Sequence, residues 1–444
     1  MWAERDAAVV WHGFTDMAAY HDHCPVVVER AEGHELIDTE GRRYLDAISS
    51  LWVNTMGHRV PELDQAVRDQ LELVAHSTML GNGNRVVVEL AEALAAVVPV
   101  ASPHFLFASD GAPAVEQALK LAFQFWALAG VRGRTTYLAF GDAYHGDTVG
   151  SLSLGADDGF GASLFSPLRF PVLRAPGYDD PSCFDVACGM VDEHAGRLAA
   201  VVVEPLVQGA AGMHMAEPAG FEALAGACRA ADVLLIHDEV AVGFGRTGTL
   251  FATEQLRGVR PDLLCLGKSI TGGYLPLSAT VASGRVFEAF SGTAFAHGHS
   301  YGGNALAAAV ALRHLRLLGE RDVLANVAAR SSQLSVLLAE RVAPLAGVLG
   351  VRVKGLLCGV DVEAGAGRDV CDLAVTAGVL LRPIGDTVII VPPLTITAGE
   401  IERIVDVLAG AIPERARRPA PTAMPERSGG PRRREPEGRR AQRP

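Results

Sequence analysis

Between residues 104 and 282, short runs of β-branched, aromatic and aliphatic residues alternate with helix-patterned stretches, and this alternation constrains the fold more than any other feature. The runs fall at 104–107, 136–140, 199–204, 233–238, 263–266 and 276–282, with amphipathic stretches such as 114–126 and 220–231 between them. A spacing of about thirty residues per strand is that of β-α-β units. It predicts an α/β fold, a mostly parallel sheet covered by helices, with chemistry gathered at the carboxyl ends of the strands.

At 444 residues the chain is long enough for two packed lobes. The pattern changes near residue 304, where a long helical run (305–318) leads into short strands near 351–362 and 388–391. Residues 51–304 are therefore expected to form a large domain and 305–412 a smaller α/β domain. The first fifty residues, strand-like at 26–29 and 36–38, are expected to join the smaller one. From Pro413 onward there are ten Arg against four Glu, a net +6 that leaves −18 on the rest of the chain. That segment, 413–444, also holds seven Pro and no aromatic residue, and reads as disordered. Without an aromatic or folded context it reads as solvated low-complexity sequence, and no nucleic-acid partner is expected.

Mean hydropathy is +0.22, but the most apolar stretches, 90–107 and 198–215, are broken by Glu92, Pro99 and His104 or by Glu204 and Pro205. Neither supplies about twenty clean apolar residues, so no membrane span is expected. The N-terminus lacks a basic region followed by an apolar run, which points to the cytoplasm. Seven cysteines without a CxxC pair suggest free thiols and no metal site. Of 39 basic residues only three are lysines: Lys120, Lys268 and Lys354. Guanidinium cannot form an imine, so a lysine kept in so Arg-rich a chain is a candidate for amine chemistry.

Three strand ends carry that idea further. The run 233–237 leads into Asp238, 263–267 leads into Lys268, and the strand from Phe105 ends in Ser109-Asp110-Gly111-Ala112 before a helix. An amine, an acid and a helix start at neighbouring strand ends are the groups pyridoxal phosphate needs. The amine carries the cofactor as a Schiff base and moves a proton. A carboxylate beside the pyridine nitrogen keeps it protonated. Free N–H groups at the helix start hold the phosphate, with Asp110 expected to turn away and cap the helix. Singly, each has a plainer reading: a helix cap, a surface lysine, an ordinary turn. The joint pattern, with Lys268 between an apolar strand and Gly272-Gly273, favours the cofactor. A rival motif, Gly243-Phe244-Gly245-Arg246-Thr247-Gly248, matches GxGxxG. It does not turn directly from strand to helix, however, and lacks an acid about twenty residues on, so a dinucleotide site is rejected.

HDEVAVGFGRTG (237–248) and PDLLCLGKSITGGYLPLSAT (261–280) together resemble the signature of the class III aminotransferases. AYHGDT (143–148), EPLVQGAAGM (204–213), HGHSYGGN (297–304), SSLWVNTMGH (49–58), LLRPIGD and VPP narrow the likeness to the branch that aminates 8-amino-7-oxononanoate in biotin biosynthesis. The resemblance covers about residues 11–412. It implies a fold-type-I pyridoxal-phosphate transaminase acting as a homodimer with shared active sites.

By the same resemblance, Lys268, Asp238 and Tyr144 are the catalytic residues, with Tyr144 stacked on one face of the ring and Val240 on the other. Gly111 and Ala112 hold the phosphate, and His299 with Ser300 reaches it from the neighbouring subunit. Glu204 and Gln208 support the pocket. Arg382 binds the keto acid's carboxylate. Phe14, Leu51, Trp52, Gly298 and Ile389 face the substrates. Members use either S-adenosylmethionine or lysine as amino donor. Phe14, Leu51 and Ile389 stand where the adenosylmethionine type has aromatic or hydroxyl groups, which leans towards lysine. Two other readings remain: a different class III ω-aminotransferase acting on a diamine or ω-amino acid, and a non-catalytic binding protein on the same scaffold.

Overall fold

The computed structural model of the chain describes residues 2–157 and 159–417. Seven strands form the main sheet: β1 (His104–Ala108), β2 (Thr136–Phe140), β3 (Leu173–Ala175), β4 (Leu198–Val203), β5 (Leu234–Asp238), β6 (Leu263–Leu266) and β7 (Ser278–Ala282). Their order across the sheet is β1-β7-β6-β5-β4-β2-β3. All run parallel except β7, which is antiparallel to both β1 and β6. The six expected runs are all here. The expectation missed β3, a three-residue edge strand between Pro171 and Pro176.

Residues of β4, β5 and β6 are buried throughout, the pattern of strands covered on both faces. Helix α1 (Gly111–Leu128) lies on one face and buries Ala114, Val115, Ala118, Leu121, Ala122 and Phe125 at helical spacing. Its Trp126 donates from Nε1 to the carbonyl of Ala199 at 2.8 Å, tying the helix to β4.

Two four-stranded sheets and a two-stranded one, Val207–Gln208 with His214–Met215, accompany this one. Val348–Lys354, Leu357–Val362, Thr387–Ile390 and Arg382–Ile384 pair antiparallel. Val28–Glu32, Glu35–Asp38 and Arg43–Asp46 form a meander joined in parallel by Val379–Leu380. An early strand thus pairs with one more than three hundred residues later. One buried apolar cluster runs from Leu264 and Ala279 of the main sheet through Ala308 and Leu312 to Ile404 and Leu408. The last helix, Ala398–Arg417, continues through Pro413. Residues 413–417, expected to open a disordered tail, therefore belong to it, and the remainder of that expected tail lies outside the described residues. No helix among the described residues is long and apolar enough to cross a membrane.

Candidate active site

Strands β5 and β6 run side by side with Asp238 level with Cys265, so Asp238 and Lys268 arrive at the same edge of the sheet. Gly267 is extended, and Lys268 then takes a positive φ of 41° to open the turn Lys268–Thr271. That conformation costs a non-glycine residue about 1–2 kcal/mol. It aims the side chain into the space above the strand ends, where Nζ lies 4.6 Å from the ring centroid of Trp52. Burial pulls the Lys268 ammonium pKa down; the negative charges of Asp238 and Glu204 oppose this, and Arg246 adds to it. Lys268 makes no hydrogen bond or ion pair to a carboxylate among the described residues, so its amine is left for chemistry.

Asp238 is 4% exposed and fully engaged. Its Oδ1 accepts from Val240 N at 3.0 Å, and its Oδ2 lies 2.7 Å from His145 Nδ1. Burial opposes a charge on His145, but the hydrogen bond to Asp238 and the charges of Asp238 and Glu204 outweigh it and raise the imidazole's pKa. His145 was not singled out from the sequence. The signal was available as the residue after Tyr144 in AYHGDT, but nothing local said it would meet Asp238, 93 positions away. Tyr144 also lines the cavity, its hydroxyl donating to Asp147 Oδ2 at 2.7 Å and its N–H to Glu204 Oε1 at 3.2 Å. Burial pushes the Glu204 carboxyl up to about 7, against the pull of nearby His145.

The start of α1 is open. Asp110, expected to cap the helix, makes no side-chain cap bond there; its Oδ2 instead accepts from Ser109 Oγ at 3.2 Å. The first N–H groups of the helix are left to a ligand. Glycine is required at 111, because a Cβ would lie 2.5 Å from Val240 Cγ1. Gly146 (φ +121°) closes the other side, where a Cβ would meet that of Ala112 at 2.5 Å.

Trp52 reaches the site through an unusual turn. Ser49, Ser50, Leu51 and Trp52 all have positive φ, between 47° and 72°, a run that survives only where its surroundings hold it. Ser49 Oγ donates to Val391 O at 2.6 Å, and Asp46 accepts from Ser50 N and Oγ at 2.9 and 2.7 Å. Arg246, fully buried, donates to the carbonyls of Pro392 and Asn54 at 2.5 and 2.8 Å. Burial lowers its pKa to about 9. The Gly-rich motif around Arg246 thus buttresses the turn, and Gly243, Gly245 and Gly248 lie off the cavity.

These groups enclose a cavity of about 650 Å³ lined by Trp52, Gly111, Ala112, Tyr144, Asp238, Val240 and Lys268, among others. Residues 17–412 match the family model described as aminotransferase class-III. The chain belongs to the class III aminotransferases. It is 44% identical to the adenosylmethionine-8-amino-7-oxononanoate aminotransferase of Nitratidesulfovibrio vulgaris, over 92% of this chain and 80% of that one. It is similar to the crystal structure of the enzyme of that name from Methanocaldococcus jannaschii, with TM-score 0.88 and 36% identity over 93% and 98% of the two chains. The omega transaminase of Pseudomonas jessenii, solved in complex with PMP, aligns with TM-score 0.88 and 26% identity over 94% and 98%.

Like its family, this class III aminotransferase depends on pyridoxal phosphate, and the residues present fit that group. A buried amine with no carboxylate partner among the described residues, a carboxylate at the end of the next strand, and an uncapped helix start with no room for a Cβ are what the cofactor's aldehyde, ring nitrogen and phosphate require.

The other sequence-predicted residues are spread more widely. His299 Nε2 lies 3.3 Å from Ser109 N, within the same chain. Ser300 is exposed, and its carbonyl accepts from His76 at 2.9 Å. Gly298 packs against Leu80. Phe14 and Leu51 are 59% and 50% exposed and do not line the cavity. Ile389, 1% exposed, sits in an apolar cluster with Trp52. Arg382, its cross-strand partner, is exposed and makes no ion pair among the described residues. Gln208 is buried behind the wall, bridging Tyr178 N and Gly141 O at 3.0 and 2.7 Å.

Proposed function

We propose that the chain aminates 8-amino-7-oxononanoate to 7,8-diaminononanoate, as a homodimer, with Lys268 as the proton-moving amine. The observation that carries this is the Lys268 amine, buried and without an acid partner, beside an aspartate locked by its own hydrogen bonds. The names and identities of the relatives support the substrate. Pyridoxal phosphate, when bound, supplies an aldehyde that condenses with amines and a ring that accepts the electron pair left by a departing α-proton. The chain's residues do the rest. Lys268 Nζ, its charge disfavoured by burial, would take that proton and return it two atoms away, across the imine nitrogen. Asp238, hydrogen-bonded to His145 and to Val240 N, would face the ring nitrogen and hold a proton there. The N–H groups at Gly111 and Ala112 would hold the phosphate, Val240 and Tyr144 would bound the ring, and Trp52 would keep water from Nζ. Donor and acceptor use the same amine in turn, a ping-pong cycle.

For the donor, the lean towards lysine rests on Phe14, Leu51 and Ile389. None of the three lines the cavity of the single chain, whereas the aromatic face of Trp52 does and suits a sulfonium cation. We therefore favour S-adenosylmethionine, the donor in the relatives' names. Arg382, forked and without an ion pair among the described residues, is proposed to take the keto acid's carboxylate. The test is to mix the loaded protein separately with S-adenosylmethionine, lysine, putrescine and β-alanine and follow the visible cofactor band. Bleaching by adenosylmethionine, reversed by 8-amino-7-oxononanoate, is the expected result. Bleaching by lysine alone overturns the donor, and by putrescine or β-alanine alone the substrate. No bleaching by any amine would point to a non-catalytic scaffold.

A further inference from the structure

Residues 294–299 are clipped along α1, the helix whose start forms the open N–H cradle. Lys120 of α1 donates from Nζ to Ala296 O at 2.8 Å and lies 3.2 Å from His297 Nδ1. Gln124, one turn on, donates to Ala294 O at 2.9 Å and accepts from Ala296 N at 3.2 Å. The segment then turns inward. His299 Nε2 accepts from Ser109 N at 3.3 Å and lies 3.2 Å from Ser109 Oγ. Gly302 follows so close to β1 that a Cβ would come within 2.7 Å of Phe107 O.

An N–H aimed at Nε2 uses that nitrogen of His299 as an acceptor. Its target is two residues before Gly111. Backbone N–H groups bind an anion well only when their directions are set beforehand, and a loop of Ser-Asp-Gly-Ala has little side-chain packing to set them. We propose that His299 is a positioning residue for the phosphate-binding loop of its own chain, with Lys120 and Gln124 mooring the strap that carries it. This accounts for a second of the three lysines: an ammonium offers diverging donors to a carbonyl and an imidazole, which a flat guanidinium fork does not. The resemblance assigned His299 to the neighbouring subunit's phosphate; the geometry gives it work in cis.

The inference rests on the proposed cradle at Gly111 and Ala112, and the test separates the two. Apoprotein is titrated with pyridoxal phosphate and with pyridoxal, which lacks the phosphate, and binding is read from absorbance. Replacing His299 by Ala is expected to weaken pyridoxal phosphate about tenfold and leave pyridoxal unchanged, the scale of one hydrogen bond. His299→Gln, which keeps an acceptor at similar reach, restores most of the loss. Lys120→Ala costs about two- to threefold in the same direction. Should alanine prevent folding, Gln is compared with His299→Met, similar in length without the strong acceptor. Equal weakening of both ligands, or of neither, overturns the positioning role. A wild-type protein that binds pyridoxal as tightly as its phosphate overturns the cradle itself.

Discussion

The floor and the rim of the site are built differently. On the floor, Asp238 and Glu204 are at most 5% exposed, and each accepts hydrogen bonds from groups fixed by the fold. Among the residues expected to meet substrate, Phe14 and Leu51 are 59% and 50% exposed, and Arg382 is exposed with no ion pair among the described residues. Low dielectric makes each polar contact on the floor strong and each missing one costly. The rim has no such enforcement and is left to be completed by substrate and, on the proposed reading, by a second subunit. On the proposed reading, cofactor chemistry sits where burial enforces geometry, and substrate choice sits where it does not.

The comparison breaks first at Lys268. Lys268→Ala should lower turnover by about four or more orders of magnitude and abolish borohydride trapping of cofactor, read as intact mass. Trapping that persists would move the chemistry elsewhere. Asp238→Asn should follow at about a thousandfold in kcat with the cofactor still bound, since charge at the ring nitrogen is lost while shape is kept. A loss confined to KM would mean Asp238 acts on the rim rather than the floor.

Arg382→Ala tests the rim. Removing a forked guanidinium from a carboxylate should raise the keto acid's KM by about ten- to a hundredfold and leave the donor half-reaction unaffected. The smallest effect concerns pH. Glu204 is raised to about 7 from 4.5, chiefly by burial, so the folded chain holds a proton that the unfolded chain has released. Its favourable contribution is present at low pH and is lost as pH rises through about 7. Glu204→Gln removes that loss, so the melting temperature of the variant relative to wild type should climb between about pH 5 and pH 8. A flat difference would place Glu204's proton outside the folding balance.

Much of the floor was legible because its signals are local. An apolar run ending in Asp238, another ending in Lys268, and a strand turning into a helix at Gly111 each fit within a few residues. The edge strand β3 was not legible, being three residues between prolines. Nor was the antiparallel direction of β7, which periodicity does not encode. His145 and Arg246 were missed because each is defined by a partner far along the chain. Ile389 shows the converse: its alternation in the strand reads the same whether it faces a substrate or, as it does, an apolar core.

By itself the sequence determined the layered α/β architecture, the amine and the acid, because periodicity and strand-end chemistry are properties of neighbouring residues. Only the tertiary structure decided which histidine meets Asp238 and how a buried arginine holds four left-handed residues so that Trp52 covers Lys268. Those outcomes depend on elements separated by roughly a hundred residues or more, where packing and burial, rather than local pattern, choose the partner.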